Sequence, residues 1–347
     1  MKTLRTPTVT GCPGTHQSVP RLAVAFLFLV SVGLAPRLRG QTTPPSGPAT
    51  APAAGAKEVV VDGFRLSYKI EGEGIPCIVI NDAPAMRRAL PSSLRSRFKF
   101  IFMDPRMNVP YEPDYDVKRI SLDTLLDDIE RVRRDSGVDK VLVFGHSISG
   151  LTAYEYARKY PDHVVGIVMN GTPPSWQLPG SVVDSHWAQA SAERKEALRR
   201  SRERTRATIA KLPPGEAALQ SYIANAALYW HDPTYDCAWL FEGVRWNQEV
   251  WDHLLNPIMA GYDISKRPPL KVPVLLTLGR DDFVVPCTTW DGVEKTLPNL
   301  TVRICEKSGH WSFLEEPALF DRTLSDWVDG TVLKKKPATT APLPPPK

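Results

Sequence analysis

The stretch from Val141 to Tyr160 constrains this chain more than any other. An apolar run, Val141–Phe144, leads into Gly145-His146-Ser147-Ile148-Ser149-Gly150, and a helically spaced segment, Leu151–Tyr160, follows and stops before Pro161. A strand that becomes a helix over so few residues must pass through a sharp turn. A serine at its centre is forced into strained backbone with its hydroxyl exposed. The residues two before and two after must be small, because larger side chains would collide across the turn. Gly145 and Ser149 meet that need, Ser149 standing where glycine is usual. The short string recurs by chance; the strand before it and the helix after it give it weight.

The same rhythm runs through the body of the chain. Glu58–Val61 and Phe64–Ile70 read as a hairpin turning at Asp62-Gly63. Ile75–Ile80, Phe98–Met103, Val164–Met169, Val272–Thr277 and Thr301–Ile304 read as further strands. Ser121–Asp135 has helical spacing, with Leu122, Leu125, Leu126, Ile129 and Val132 on one side, and a last helix falls within Trp311–Val332. Continuous apolar strands between amphipathic helices predict an α/β fold with a mostly parallel central sheet flanked by helices on both faces. Residues 174–268 break the rhythm. They are rich in helix formers and tryptophan and read as a helical cap over the sheet's C-terminal edge. The core is then 58–173 and 269–332. Within the cap, Glu193–Lys211 is dense in arginine and glutamate, either a surface for an acidic partner or a solvated helix with i,i+4 pairs.

The ends read differently. Lys2, Arg5 and Arg21 precede an uncharged, mostly apolar run of 15 residues, Leu22–Pro36. That is short of the about 20 residues a bilayer span needs and fits a signal peptide over residues 1–40, so export to a periplasm or the exterior is expected. An uncleaved anchor, with Arg37 and Arg39 as a stop, is the alternative. Residues 41–57 and 333–347 are Pro-rich and read as a linker and a tail. The net charge of +5 lies largely in the termini, so no nucleic-acid partner is expected. Cys77, Cys237, Cys287 and Cys305 lack zinc-ligand spacing. In an exported protein one disulfide is possible, Cys287 with Cys305 being the first pair to test, and buried free thiols are the alternative. No P-loop and no G-x-G-x-x-G after a strand appears, so no cofactor and no metal is expected.

Serine needs a general base, itself oriented by an acid. Downstream, the strand Pro273–Gly279 runs into Arg280-Asp281-Asp282-Phe283, which offers two acids, and the last strand runs into Glu306-Lys307-Ser308-Gly309-His310. Each lies at a strand's C-terminal end, where open α/β sheets bind ligands. The oxyanion that forms on attack needs two backbone N–H groups. One is that of Ile148; the other comes from the loop after Ile75–Ile80.

Gly145–Pro173, Gly279–Pro286 and Lys307–Pro317 resemble the α/β-hydrolase superfamily, over nearly the whole body. The resemblance implies the α/β-hydrolase fold with a helical cap, Ser147 as nucleophile, Asp282 as acid (Asp281 being the alternative) and His310 as base, with His146 supporting. Pro233–Asp236 through Phe241-Glu242-Gly243 to Trp290 resembles proline-iminopeptidase-like hydrolases, which remove an N-terminal proline and hold the free amine with cap glutamates. Glu242 carries that substrate-binding role over, with a surface acid as the alternative reading. Where those enzymes have H-G-G-P-G or N-G-G-P-G, this chain has Asn81-Asp82-Ala83-Pro84-Ala85, which makes Ala83 N–H the second oxyanion donor. A carboxylate about 5 Å from the oxyanion would oppose it by about 3 kcal/mol at an effective dielectric near 20, roughly a hundredfold in rate. Asp82 is therefore expected to turn away, toward Arg87 or Arg88. Asp104 and Arg106 match part of a D-x-R-G-x-G element that braces the site loops.

The expected activity is hydrolysis of an ester or amide in a small-molecule or short-peptide substrate, as a proline-releasing aminopeptidase or as a carboxylesterase. A non-catalytic binding protein on the same fold is the alternative from another class. Trp230, Trp239, Trp246 and Trp251 either pack the cap or face a ring-shaped substrate.

Overall fold

The computed structural model describes residues 55–334. The export signal expected over 1–40, most of the linker and nearly all of the tail lie outside these residues. Lys57, assigned to the linker from sequence, instead opens the first strand.

Eight strands form one sheet: β1 (Lys57–Val61), β2 (Phe64–Glu71), β3 (Ile75–Ile80), β4 (Phe98–Met103), β5 (Val141–His146), β6 (Val164–Asn170), β7 (Val274–Gly279) and β8 (Leu300–Cys305). Their order is β1-β2-β4-β3-β5-β6-β7-β8. The first two pairings, β1 with β2 and β2 with β4, are antiparallel, and the rest are parallel. The hairpin turns at Asp62 and Gly63, both at positive φ (47° and 78°), as a two-residue turn matched to strand twist requires.

The central parallel strands β5, β6 and β7 are buried on both faces, which explains their largely apolar sequences, whereas the edge strand β8 is only partly buried. On β5, Val141 and Val143 point into one core with Leu126, Ile129 and Tyr154. Leu142 and Phe144 point into the other with Phe98, Phe313, Phe320 and Trp327. The helices covering the sheet are α1 (Ala83–Ala89), α2 (Leu122–Asp135) and α3 (Ser149–Lys159), and, after the cap, α9 (Ser312–Glu315) and α10 (Pro317–Trp327). Ser121 starts α2 with a reciprocal capping box to Thr124, which satisfies two end donors at once.

Between β6 and β7 lie α4 (Gly180–Ala188), α5 (Ala192–Ile209), α6 (Pro214–Ala224), α7 (Ala226–Tyr229) and α8 (Gln248–His253). Among the described residues of this cap the only strand-like pairing is the bridge Ser175–Asp263. On the exposed face of α5, Arg199 and Arg200 pair with Glu196 and Glu203, the i,i+3 and i,i+4 pattern of a solvated helix. Trp230 and Trp251 are buried in the cap, while Trp239 is exposed.

Three details correct an expectation, sharpen one or decide between its alternatives. The segment after β3 is not a loop to Ala85: Ala83 already begins α1, with Pro84 in its first turn, where a missing N–H costs nothing. The final helix is interrupted at Glu316, so it forms two helices and an irregular last turn. All four described cysteines are free and buried, so Cys287 and Cys305 form no disulfide; the Cys287 thiol instead lies 3.2 Å from the Arg280 guanidinium.

Candidate active site

Strand order reverses between β3 and β5, because β4 lies on one side of β3 and β5 on the other. That is where an open α/β sheet forms its crevice; the Ser147 turn and the loop expected to supply the second oxyanion donor leave from these two strand ends, while Asp282 and His310 follow β7 and β8. Ser147 has φ +55°, the left-handed region that a side chain with Cβ seldom occupies. Its N–H is held by the Asn170 carbonyl at 2.8 Å. A Cβ on Gly145 would lie 2.3 Å from the Ser149 carbonyl oxygen, so only glycine fits there. Ser149 fits because its side chain is used: Asn81 donates to its hydroxyl at 3.2 Å.

Asn81 fastens the two loops together. Its Oδ1 accepts the His146 N–H at 2.8 Å, and its Nδ2 reaches the His146 carbonyl at 3.3 Å. Ile148 N–H stands at the N-terminus of α3, among the donors that a helix leaves without an internal partner.

Asp282 and His310 meet at 2.6 Å, Oδ2 to Nδ1, with exposures of 0% and 2%. The other Asp282 oxygen accepts the N–H groups of Val284 and Val285, which orients the carboxylate. Asp281 turns to the half-exposed His231 at 2.5 Å, so of the two candidate acids Asp282 is the one on His310. Ser147 and His310 both pack on the end of β6. A Cβ on Gly171 would lie 2.9 Å from His310 Nδ1, one residue beyond the carbonyl that holds Ser147. Among the described residues the Ser147 hydroxyl and His310 share no hydrogen bond; bonds of this kind often tighten only when substrate binds.

His146 lies beneath this pair, its ring 4.5 Å from His310 and 4.4 Å from Trp311. Its Nδ1 meets Asn170 Oδ1 at 3.0 Å, and Asn170 Nδ2 donates to Thr277 and Ser312. With the Asn170 oxygen as acceptor, His146 Nδ1 carries the proton. Burial and the neighbouring His310 push its pKa well below the usual histidine value, so it stays neutral.

The side opposite Ser147 departs from expectation. Ala83 N–H, expected to face the oxyanion, donates to Asp104 Oδ1 at 2.8 Å. Ser67 holds the other Asp104 oxygen. Asp82 does not reach Arg87 or Arg88. Arg87 pairs with Glu71, and Arg88 caps the Leu240 and Glu242 carbonyls. The Asp82 carboxylate accepts instead from Asn108 Nδ2 and from Trp246 Nε1 at 3.3 Å, both neutral donors. Burial, then the nearby Asp104, raise its pKa to about 7; burial raises Asp104 to about 6. Arg106 is fully buried and bidentate on Asp128, and Asn108 and Asn247 tie this loop to the cap. Glu242 is exposed, and its carboxylate makes no contact with Ser147, Asp282 or His310.

Sequence reasoning missed Asn81, Asn170 and Glu315. Glu315 accepts the N–H groups of His231 and Gly309, and burial raises its pKa to about 7. The two asparagines stand at strand C-terminal ends, the one signal that could have pointed to them.

Residues 85–317 match the family model described as alpha/beta hydrolase fold. The AB hydrolase superfamily protein YclE of Bacillus subtilis (strain 168) is 33% identical over 272 residues, covering 77% of this chain and 96% of that protein. A proline iminopeptidase of Lactobacillus delbrueckii subsp. lactis is 25% identical, covering 59% of this chain and 71% of the relative. Among solved structures, the proline iminopeptidase of Mycobacterium smegmatis superposes with a TM-score of 0.59 at 19% identity, over 80% of this chain and 99% of that one; this likeness speaks for the fold alone. With its eight-stranded, mostly parallel sheet flanked by helices, the chain belongs to the α/β-hydrolase superfamily.

Proposed function

We propose that this hydrolase cleaves an ester or amide bond through an acyl-enzyme formed on Ser147. The observation that carries the reading is the pairing of two features at the C-terminal edge of one sheet, after β5 on one side of β6 and after β7 and β8 on the other. One is a serine held at φ +55° between strand and helix; the other is a buried Asp282–His310 hydrogen bond. With Nδ1–H donated to Asp282, His310 presents Nε2 as the base that takes the Ser147 proton and returns it to the leaving group. Asp282, fixed by two backbone donors, holds the ring and stabilises the imidazolium. The N-terminal N–H of Ile148 supplies one oxyanion donor. Ala83 N–H serves as the second only if it exchanges Asp104 for the oxyanion.

The relatives named proline iminopeptidase support an aminopeptidase, with a peptide or small-molecule substrate. The exposure of Glu242, which leaves a substrate amine without the expected acid, favours a carboxylesterase as second reading. Turnover of proline-p-nitroanilide beside p-nitrophenyl acetate separates them: hydrolysis of the ester alone removes the peptidase reading. Labelling by a fluorophosphonate tests the mechanism. Wild type should label and Ser147→Ala should not; equal labelling overturns the acyl-enzyme reading and leaves a binding protein. Export is proposed from the N-terminal sequence, and N-terminal sequencing of protein recovered from the cell exterior or periplasm checks it.

A further inference from the structure

His310 and Asp282 are held from the cap as well as from the sheet. The main chain of α7 and the two residues after it runs through both loops that carry them. Phe283, next to Asp282, donates its N–H to the Leu228 carbonyl at 3.0 Å, and His310 donates its own to the Tyr229 carbonyl at 2.6 Å. The N–H groups of His231 and Gly309 converge on the two oxygens of Glu315, at 2.6 and 2.8 Å. Gly309 has no room for a side chain, since a Cβ would lie 2.2 Å from the Tyr229 carbonyl oxygen. Where residues 228–231 sit therefore sets where His310 sits.

One side chain fixes that segment. Arg194, in the first turn of α5, is 6% exposed. Its Nη1 donates to the carbonyls of Ala227 and Trp230 at 2.8 and 2.7 Å, and its Nη2 to that of His231 at 2.7 Å. The guanidinium lies 4.7 Å over the Phe283 ring, beside the residue that follows Asp282. Among the described residues it forms no ion pair. Burial lowers its pKa, and only the more distant charges of Asp281, Glu315, Asp232 and Glu193 act against that. A buried charge without a partner is costly, and a planar fork of donors is what three carbonyls on one bend of chain require. Arg199 and Arg200 on the same helix are exposed and pair with glutamates, whereas Arg194 points inward.

We propose that Arg194 is a positioning residue: by gripping the carbonyls of Ala227, Trp230 and His231 it holds the cap segment that aligns His310 with Asp282. The cap is then part of the active centre and not a detachable lid over it. This inference rests on the reading of His310 as the base for Ser147.

The test uses the full chain with R194M, which keeps length and loses the donors, and R194K, which keeps charge and loses the fork. Each is assayed on p-nitrophenyl acetate well below its melting temperature, with Ser147→Ala alongside. R194M should lower kcat by 30-fold or more with KM changed less than threefold, and should move the acidic limb of the pH profile. R194K should fall between R194M and wild type. A lowered melting temperature with kcat and the pH limb unchanged overturns the proposal, because that is all a structural residue would do. If R194M does not fold, R194K decides: a five-fold or larger loss with a moved limb supports the proposal, and a wild-type profile overturns it. Turnover by Ser147→Ala equal to wild type would instead sink the acyl-enzyme reading, whatever Arg194 does.

Discussion

Replacing Asp82 by asparagine should stabilise the protein, and more so as pH rises. Asp82 is 8% exposed and among the described residues its carboxylate accepts from Asn108 and Trp246, while Asp104 lies close enough to repel it. Raising a carboxyl from 3.8 to about 7, at about 1.36 kcal/mol per pH unit, means that charged Asp82 costs the folded state about 4 kcal/mol. The sign follows from linkage. Below pH 3.8 the group is protonated in both folded and unfolded chains, and nothing is lost. Between pH 4 and 7 the unfolded chain ionises while the folded one holds its proton, so stability falls as pH rises; above 7 the loss is complete. The amide introduced by Asp82→Asn would keep an oxygen for both donors and carry no charge. The measurement is urea unfolding of wild type and D82N at intervals from pH 4 to 8. Differences between the two cancel titrating groups that do not interact with Asp82, such as Glu315; Asp104, which does interact, shares in the difference. The D82N advantage should grow toward about 4 kcal/mol and then level off above pH 7. An advantage flat to within about 0.5 kcal/mol across this range would refute the reasoning, as would a wild type that gains on D82N with pH.

Asp282→Asn should lower kcat by about 10⁴ at nearly unchanged stability, since an amide oxygen still accepts from Val284 and Val285 but the histidine loses its acid; steady-state kinetics on an ester read this, and a loss under tenfold would contradict it. Arg106→Met should destabilise by about 3–5 kcal/mol in denaturant unfolding, because Asp128, 2% exposed, is left as an uncompensated charge. The four described thiols should react with a disulfide reagent only on unfolding, and a mass increase of two on reducing the native protein would reveal a disulfide instead.

The sheet could be read from sequence because its central parallel strands are buried on both faces and so are largely apolar. Ile75–Ile80 and Phe98–Met103 have the same bounds in the structure as in that reading. The turn at Ser147 was equally readable, since its conformation comes from local sterics between Gly145 and Ser149. What escaped were contacts between residues far apart in the chain. Asn81 holds His146 across 65 positions, and Arg194 holds a segment more than 30 residues away. Nothing in the arginine-dense run Glu193–Lys211 marks one arginine as buried, because burial there depends on the path of α7, not on local pattern. Asp82 escaped for the same reason: Arg87 and Arg88 are near in sequence, but Asn108 and Trp246 are near in space.

The two halves of the proposed oxyanion site have different physical origins. Ile148 N–H is supplied by the start of α3 and is set by the turn itself. Ala83 N–H is at the start of α1, where helix geometry would leave it free, but Asp104 at the end of β4 claims it. Burial has raised the pKa of that acid to about 6, so near neutral pH it is mostly charged and a strong acceptor. An oxyanion forming on a Ser147 adduct would compete with Asp104 for one hydrogen atom. The same competition makes the loop's departure from glycine intelligible. Asp82 and Asp104 repel each other across Ala83, and whichever loses its charge first decides how firmly that N–H is held. On that reading, control of the proposed oxyanion site passes from the main chain at the Ser147 turn to two carboxyls, Asp82 and Asp104, on neighbouring strand ends.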